Sequence, residues 1–378
     1  MLPVPVRCAV LPPVAVPYRE PLFAHMGESP ALTLRVVYQS EGQPGWDQPA
    51  GWFSLEHAYD AVALGSRQRD RPGRTPVVVP RGLARALGDF APDVVVSWEY
   101  GPTSLRALAW CLRRRRPLVI FSELPPAADS ELPAAQLRLH RLLVRRVAGF
   151  VAASSAARRR LLALGVAPQA VEVSLQSADL EPFAAAVRSA PAEGPVRLLY
   201  VGRLVEDKNL RRLVRGLASL DPGEAELVVC GTGPLEAELR SLAAELGVAV
   251  ELQGYVAPTD LPARFSSCHA LLLTSLYEPF GVAVREAAAA GLAVICSRDA
   301  GVAGDFAVAG RNALLVNPRG ERSIVEALRT VVRDGAARER MAAESLVLTT
   351  EHPLADDAAA FERAIMRAAG AAPRRAGG

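Results

Sequence analysis

The chain has 378 residues, of which 50% are hydrophobic and 22% charged, and its formal net charge is +3 at pH 7. This length is typical of two domains, and the composition excludes a disordered chain or a small disulfide-rich domain. The nearly balanced charge argues against a dedicated nucleic-acid-binding protein. Lysine occurs once, as Lys208, beside 42 arginines, so any function that needs a lysine must use that residue.

Cysteine usage and hydropathy indicate the cellular compartment. The five cysteines are widely spaced and form no CxxC pair, which is typical of buried thiols in a reducing cytoplasm. We find neither a signal-peptide pattern nor an apolar run of about 18 residues that could span a bilayer. We therefore expect a cytoplasmic protein. Basic stretches at 113–116, 138–146 and 158–160 give a second expectation, peripheral association with the inner face of an anionic membrane.

In the first half, short β-type runs alternate with helical patterns, which is typical of α/β domains built on parallel sheets. A loop region at 41–60 contains four aromatic residues, which predict either a sugar-stacking surface or a small core. These residues are Trp46, Trp52, Phe53 and Tyr59. The predicted strands are Val6–Leu11, Leu34–Tyr38, Val77–Val79, Val94–Ser97, Leu118–Phe121 and Gly149–Ala152, and the predicted helices are Leu83–Leu87, Thr103–Leu112 and Gln136–Val147.

A small, Pro- and Gly-containing stretch, Ser189–Pro195, predicts a linker, and a second α/β series follows it. Its predicted strands are Val196–Val201, Glu226–Cys230, Val248–Leu252, Ala270–Thr274, Ala293–Cys296 and Ala313–Val316. Its predicted helices are Leu210–Leu220, Leu235–Leu246, Leu261–Ser266, Val282–Ala290 and Arg322–Asp334. We predict doubly wound domains over 1–190 and 191–352, then a helix over 353–370 that packs back at the domain junction, and a disordered tail over 371–378.

Absent motifs narrow the function classes. No Gly-Lys dipeptide exists, which excludes a Walker-type phosphate loop. Gly231 and Gly233 begin a pattern like the dinucleotide fingerprint, but Glu236 stands where the third glycine is required, which argues against a nicotinamide enzyme. The HExxH and GxSxG motifs of zinc and serine hydrolases are also absent.

The loop after the first strand of the second series carries two cations. Gly202 permits a tight turn, and Arg203 and Lys208 lie near one strand end, where a phosphate could be held. The alternative is a solvated charged turn. A lysine in a chain that otherwise uses arginine favours the phosphate interpretation, because an ammonium is a compact point charge suited to a diphosphate.

A later loop leads into a helix that starts at Phe280, Gly281 and Val282, whose free N–H groups favour an anion. Glu278 precedes this helix and Glu286 lies about one turn inside it, so the two carboxylates can address opposite ends of one ligand. Paired carboxylates also bind metals, but no third carboxylate or histidine accompanies this pair. We therefore predict no metal site.

These motifs resemble those of the retaining, nucleotide-sugar-dependent glycosyltransferases of family 4, also described as glycosyl transferases group 1. The resemblance covers about residues 195–350, through VGRLVEDKNL, GTGPLEAELR, EPFG…EAAAAG and GRNALLVNP. The spacing of Glu278 and Glu286 is its most specific element. It implies the GT-B fold, in which two doubly wound Rossmann-like domains face each other across a cleft, with the acceptor in the first domain and the donor in the second.

The resemblance implies roles for the matching residues. The cations neutralise the diphosphate of a UDP-sugar or GDP-sugar, Glu278 faces the donor sugar, and Glu286 faces the ribose. It implies neither a metal nor another cofactor, since the nucleotide sugar is a co-substrate. The expected catalytic residues are Arg203, Lys208 and Glu278, and the expected donor-binding residues are Gly202, Gly254, Tyr255, Val256, Phe280, Gly281, Val282 and Glu286.

The first half matches the family less well, because it lacks the usual glycine-rich first loop and the histidine near the sugar. We place Arg19, Trp98, Glu99 and Tyr100 at the acceptor, which can be a glycan, a lipid-linked molecule or a small molecule. Without that histidine, the expected reaction is a front-face transfer in which the leaving phosphate oxygen takes the acceptor proton. A non-catalytic nucleotide-sugar-binding protein is one alternative, and a sugar-nucleotide epimerase or phosphorylase on the same fold is another. An epimerase needs additional acid/base groups at the cleft, and the first half offers only Glu99 and Glu123.

Overall fold

The computed structural model of the chain describes residues 4–42, 56–71, 74–130, 132–186, 190 and 193–371, without the side chains of 68–71 and 74–77. The chain forms two compact units, residues 1–178 with 354–378, and residues 179–353. Three sets of predicted features lie outside the described residues. These are the aromatic residues Trp46, Trp52 and Phe53, some residues of the predicted linker, and the tail from 372 onward.

The first unit contains a seven-stranded parallel sheet and a separate antiparallel hairpin. Its strands are β1 (Val6–Leu11), β2 (Leu32–Tyr38), β3 (Asp60–Ala63), β4 (Ser66–Arg71), β5 (Arg74–Pro80), β6 (Val94–Trp98), β7 (Leu118–Ser122), β8 (Gly149–Ala152) and β9 (Val171–Val173). Its helices are α1 (Glu20–Gly27), α2 (Leu83–Phe90), α3 (Pro102–Arg114), α4 (Ala134–Leu143), α5 (Ser155–Ala163) and, from the end of the chain, α13 (Leu354–Ala371). The sheet order is β3-β2-β1-β6-β7-β8-β9.

The second unit is a six-stranded parallel sheet in the order β12-β11-β10-β13-β14-β15. Its strands are β10 (Val196–Val201), β11 (Ala225–Cys230), β12 (Val250–Gly254), β13 (Ala270–Leu273), β14 (Ala293–Ser297) and β15 (Ala313–Val316). Its helices are α6 (Glu181–Ala185), α7 (Leu210–Leu217), α8 (Glu236–Leu246), α9 (Leu261–Ser266), α10 (Val282–Ala289), α11 (Glu321–Arg333) and α12 (Gly335–Glu351). The central strands β10, β13 and β14 are buried on both faces, as in other parallel sheets.

Two sequence predictions, the place of Val77–Val79 and the end of the first unit, differ from the structure. The run Val77–Val79 belongs to β5, which pairs antiparallel with β4 and takes no part in the parallel sheet. The first unit ends at residue 178, before the predicted linker, because Phe183 of α6 packs edge-on against Phe265 of α9, 5.0 Å between ring centroids. Helix α13 packs on the first unit, where Phe361 stacks on Phe121 at 5.3 Å.

Candidate functional site

The predicted donor-site loops lie where the strand order of the second sheet reverses. Strands β10 and β13 are neighbours in that sheet although β11 and β12 intervene in the sequence. In open α/β sheets, ligands bind beyond the carboxyl ends of the strands at this reversal point. The loop after β10 carries Arg203 and Lys208, and the loop after β13 carries Glu278.

Lys208 ends a short 3-10 turn, Glu206–Lys208, that is fixed to the neighbouring loop. The following residue, Asn209, is left-handed with φ 60° and donates from its buried side-chain amide to the carbonyls of Thr274 and Pro318, at 3.0 and 2.8 Å. These hydrogen bonds hold the lysine next to the end of β13. Its ammonium therefore has a defined position rather than that of a solvated surface lysine.

The ammonium of Lys208 contacts the carboxylate of Glu278, with 2.6 Å between Nζ and Oε2. The two side chains are only 15% and 12% exposed, so little water screens the pair. Ser275 Oγ donates a longer hydrogen bond to the same Oε2, at 3.5 Å. An ammonium has three donors, so the pairing with Glu278 leaves Lys208 the capacity to bind an anion as well.

Glycines let three neighbouring loops approach each other closely. The amide of Gly202 donates to the carbonyl of Cys230 at 3.0 Å, and that of Gly231 donates to the carbonyl of Gly254 at 2.7 Å. Gly231 has φ 149°, and a Cβ at this position would overlap the carbonyl oxygen of Gly202. The ends of β10, β11 and β12 are thus joined through backbone that admits no side chain at Gly231.

Helix α10 starts at Val282 directly after Gly281, which has φ 107° and caps the helix without a side chain. Phe280 is buried, and its carbonyl accepts from the amide of Val302 at 2.9 Å. The first turn of this eight-residue helix has the free N–H groups and the dipole that favour an anion. Glu286 lies four residues inside the helix and is half-buried, and burial raises the pKa of its carboxyl to about 7.

The remaining predicted donor residues lie at the rim of this region. Arg203 is exposed, and its carbonyl accepts a hydrogen bond from the hydroxyl of Tyr200 at 2.8 Å. Tyr255 is 37% exposed and Val256 half-buried, directly after β12. β12 lies two strands away from β10, on the far side of β11. A ligand that reached from Lys208 to Tyr255 would therefore pass the loop that contains Gly231.

The four residues predicted to contact the acceptor lie at the corresponding reversal point of the first sheet, between β1 and β6. Arg19 and Trp98 are buried, and both bind Glu123 Oε1, from Arg19 Nη2 at 2.6 Å and from Trp98 Nε1 at 3.2 Å. The guanidinium of Arg19 also lies 5.0 Å from the Trp98 ring centroid. Both side chains are thus engaged within the first unit.

Glu99 is held by the loop that follows β7. It has a left-handed backbone with φ 49°, and its carboxylate accepts from the amides of Glu123 and Leu124 and from Ser122 Oγ. Burial raises the pKa of Glu99 to about 7. Tyr100 is buried and stacks on His140, with 4.4 Å between ring centroids.

Two basic residues of the first unit, His140 and Arg160, belong to the stretches 138–146 and 158–160 that the sequence suggests for membrane association, but both are buried and contact each other. Arg160 Nη2 lies 3.0 Å from His140 Nδ1, and Arg160 Nε donates to Asp129 Oδ1 at 2.6 Å. Burial, together with the charge of Arg160, lowers the pKa of His140 to about 4, so this imidazole is neutral at pH 7. The three residues are 11 to 31 positions apart and match no motif, so nothing in the sequence indicated that they meet.

Within the described ranges, no helix is long and apolar enough to cross a membrane. The same residues include no cluster of three or more His, Cys, Asp or Glu side chains that could hold a metal ion.

Two family models match the chain, one on each half. Residues 37–181 match the family described as Glycosyltransferase Family 4, and residues 185–345 match the family described as Glycosyl transferases group 1. Together with the two parallel sheets, these matches define a protein of two Rossmann-like domains. The chain belongs to the group 1 glycosyltransferases and has the GT-B fold.

Curated relatives match parts of the chain. Glycogen synthase of Mycobacterium tuberculosis is 35% identical over 166 residues, 43% of this chain and 39% of that protein. Sulfoquinovosyl transferase of Arabidopsis thaliana is 25% identical over 306 residues, 75% of this chain and 59% of that protein. The chain therefore spans about two fifths of the length of the glycogen synthase that it matches.

Solved structures match nearly the whole chain. Anabaena HepE in complex with UDP and glucose superimposes with a TM-score of 0.74 at 16% identity, covering 96% of this chain and 99% of that one. The lipopolysaccharide outer core galactosyltransferase WaaB superimposes with a TM-score of 0.71 at 18% identity, covering 95% and 99%. These similarities confirm the predicted fold.

Proposed function

We propose that the protein is a retaining glycosyltransferase that moves a sugar from a nucleoside diphosphate sugar, bound by the second unit, to an acceptor hydroxyl. The observation that carries this proposal is the pairing of the only lysine, Lys208, with Glu278 at the reversal point of the second sheet. Structures of Anabaena HepE in complex with UDP and glucose and in complex with UDP-glucose support a donor of the same class.

The proposed reaction breaks the bond between the sugar C1 and the diphosphate oxygen, and the electron pair of that bond remains on the diphosphate. Arg203, Lys208 and the first turn of α10 stabilise this growing negative charge. The acceptor oxygen forms the new bond to C1 on the face that the diphosphate leaves, and its proton passes to the leaving phosphate oxygen. Configuration at C1 is thereby retained. The chain's own cations and N–H groups supply the stabilisation, and the proposal includes no metal.

The acceptor is a glycan, a lipid-linked molecule or a small molecule with a free hydroxyl, bound by the first unit. Glu99 and Arg19 lie at the reversal point of its sheet, where an acceptor would bind by analogy with the second sheet. Both side chains bind Glu123 in the loop after β7, Arg19 at its carboxylate and Glu99 at its amide. We therefore assign them to holding this loop in place at the acceptor site.

A panel of nucleoside diphosphates and their sugars tests the proposal by thermal unfolding. A nucleotide present at 100 times its Kd stabilises the folded chain by about 2.7 kcal/mol and raises Tm by roughly 5 °C. We expect a shift with either the uridine or the guanosine series, followed by acceptor-dependent release of the diphosphate. A shift without such release would instead indicate a binding protein, and a changed sugar without release would indicate an epimerase. No shift with any nucleotide would contradict a donor site.

Donor binding should depend on pH through Glu286. In the folded chain its pKa is about 7, above the ordinary 4.5. Between pH 4.5 and pH 7 the unfolded chain therefore releases this proton more readily, and the free energy of unfolding falls as the pH rises. The carboxylate is the form that accepts hydrogen bonds from both ribose hydroxyls. We expect affinity for a nucleotide sugar to increase as pH rises through about 7, by up to about tenfold per pH unit below the pKa.

The matched variant is Glu286→Gln, which keeps the shape of the side chain and removes its titration. Titration calorimetry with a nucleotide sugar between about pH 6 and pH 8 measures the affinity of both proteins. A nucleotide sugar is used rather than a nucleoside diphosphate because its diphosphate is a diester and has no terminal phosphate that titrates in this range. The variant should bind with nearly constant affinity across this range. An identical pH profile in both proteins would rule out Glu286 as the titrating group.

A further inference from the structure

A groove on the first unit is lined by five arginines. It has a volume of about 620 Å³, within the range of ~300–1,000 Å³ that is typical of ligand sites, and lies between the β4–β5 hairpin, the first turn of α2 and one face of α3. The described residues that line it include no Asp or Glu. The lining cations are Arg67, Arg81, Arg85, Arg106 and Arg113, and we refer to this site as the arginine groove.

The fold fixes the walls of the arginine groove. Arg67 of β4 lies in register with Val79 of β5. Arg106 of α3 donates from Nη1 to the carbonyl of Pro80 at 3.2 Å, which ties the helix to the end of the hairpin. Helix α2 begins after Gly82, which has φ 77° and provides no side-chain cap, so the N-terminal turn adds its positive dipole to the groove.

Several arginines elsewhere on the surface are neutralised by two acidic partners each. Arg311 binds both Glu344 and Glu351, for example, and Arg333 binds both Asp221 and Glu224. Among the groove arginines, the described part of the chain gives an acidic partner only to Arg85, an exposed contact with Asp89 at 3.7 Å. The five cations that line one groove repel each other, and an anion that enters it relieves this repulsion, which favours anion binding.

Exposed leucines stand beside these cations on α3. Leu105 is 37% exposed and Leu112 is 56% exposed, and the two are seven residues apart on one stripe of the helix. Arg106 and Arg113 form the neighbouring stripe with the same spacing. Apolar side chains next to arginines on an exposed helix are typical of surfaces that contact lipid headgroups and the upper acyl region.

We propose that the arginine groove, together with the leucine stripe of α3, binds the phosphate headgroups of an anionic lipid surface. The arginines bind phosphate oxygens, and Leu105 and Leu112 enter the boundary between headgroups and acyl chains. This surface is separate from the residues assigned to the donor. Its test needs neither a sugar nucleotide nor an acceptor, so it can fail without affecting the proposed function.

Co-sedimentation of the full chain with lipid vesicles tests this assignment. We expect binding to vesicles of phosphatidylglycerol and phosphatidylcholine, weak binding to phosphatidylcholine alone, and loss of binding at high salt. The double variant R81E/R113E should bind the anionic vesicles about tenfold or more weakly. The matched control, R138E/R159E, makes the same change in net charge at exposed arginines of α4 and α5, outside the groove, and should bind like the wild type.

Two further measurements distinguish a membrane-binding surface from diffuse charge and from a soluble-anion site. The variant L105S/L112S leaves the charge unchanged and should also weaken vesicle binding, with Tm and circular dichroism confirming that each variant is folded. Equal loss in R81E/R113E and R138E/R159E would overturn the assignment in favour of diffuse charge. Stabilisation by soluble inorganic pyrophosphate that is lost in R81E/R113E, without vesicle binding by the wild type, would overturn it in favour of a soluble anion.

Discussion

Replacement of Lys208 by alanine should lower kcat/KM for sugar transfer by about a hundredfold to a thousandfold, which is the effect of removing one preorganised charge from a developing anion. The effect is large because no other lysine exists and because Lys208 is fixed beside Glu278 by the hydrogen bonds of Asn209. Initial rates with donor and acceptor measure it. Arg211→Ala is the matched control, since it removes a cation three residues away that pairs with surface Glu206 and Glu238.

The variant also leaves Glu278 without its ionic partner, and this carboxylate could itself repel a diphosphate. The double variant Lys208→Ala/Glu278→Gln separates the two effects through the affinity for UDP or GDP. If Lys208 binds the diphosphate, affinity stays low in both the single and the double variant. Recovery of affinity in the double variant would assign the loss to the stranded carboxylate, and unchanged turnover in Lys208→Ala would refute the proposed role outright.

Much of the fold could be predicted because buried parallel strands leave a direct signal in the sequence. The apolar runs at Val196–Val201 and Ala313–Val316 form β10 and β15 with the predicted bounds. Helix α12, in contrast, is not predicted. It buries mainly Met341, Ala342 and Leu348, but Leu346 and Val347 beside them are exposed, so its apolar residues do not follow a clear helical period. The pairing of β4 with β5 is not predicted either, because an arginine-rich strand does not have the apolar pattern of a core strand.

The candidate donor site is predictable where residues are local in the sequence. The sequence predicts that Lys208 and Glu278 serve one ligand, and the structure adds their direct contact, which spans 70 positions. Side-chain contacts over such distances follow from the topology of the sheet rather than from residue spacing. The same holds for the stacking of Tyr100 on His140. Gly231 has the sequence pattern of an ordinary turn, because the sequence does not show which backbone lies opposite.

Gly231→Ala should destabilise the chain by roughly 2–5 kcal/mol, since it combines a left-handed backbone with direct overlap between the new Cβ and the carbonyl oxygen of Gly202. The overlap is with backbone, which cannot rotate away as a side chain could. Relief requires the loops after β10 and β11 to separate, which moves Arg203 and breaks the alignment of the site. Urea unfolding measures the stability, and calorimetry with the nucleoside diphosphate measures the expected loss of affinity.

Gly247→Ala is the control that isolates the overlap from the backbone strain. Gly247 ends α8 with φ 65°, and a Cβ there meets nothing within 4 Å, so its substitution costs only the left-handed conformation, about 1–2 kcal/mol. Nucleotide affinity should be unchanged in this variant. Equal stability and equal affinity in the two variants would mean that the loops tolerate a side chain at Gly231. A larger loss of stability and of nucleotide affinity in Gly231→Ala would show that the close approach of the Gly202 backbone requires glycine at position 231. It would also show that this contact keeps the donor loops in order.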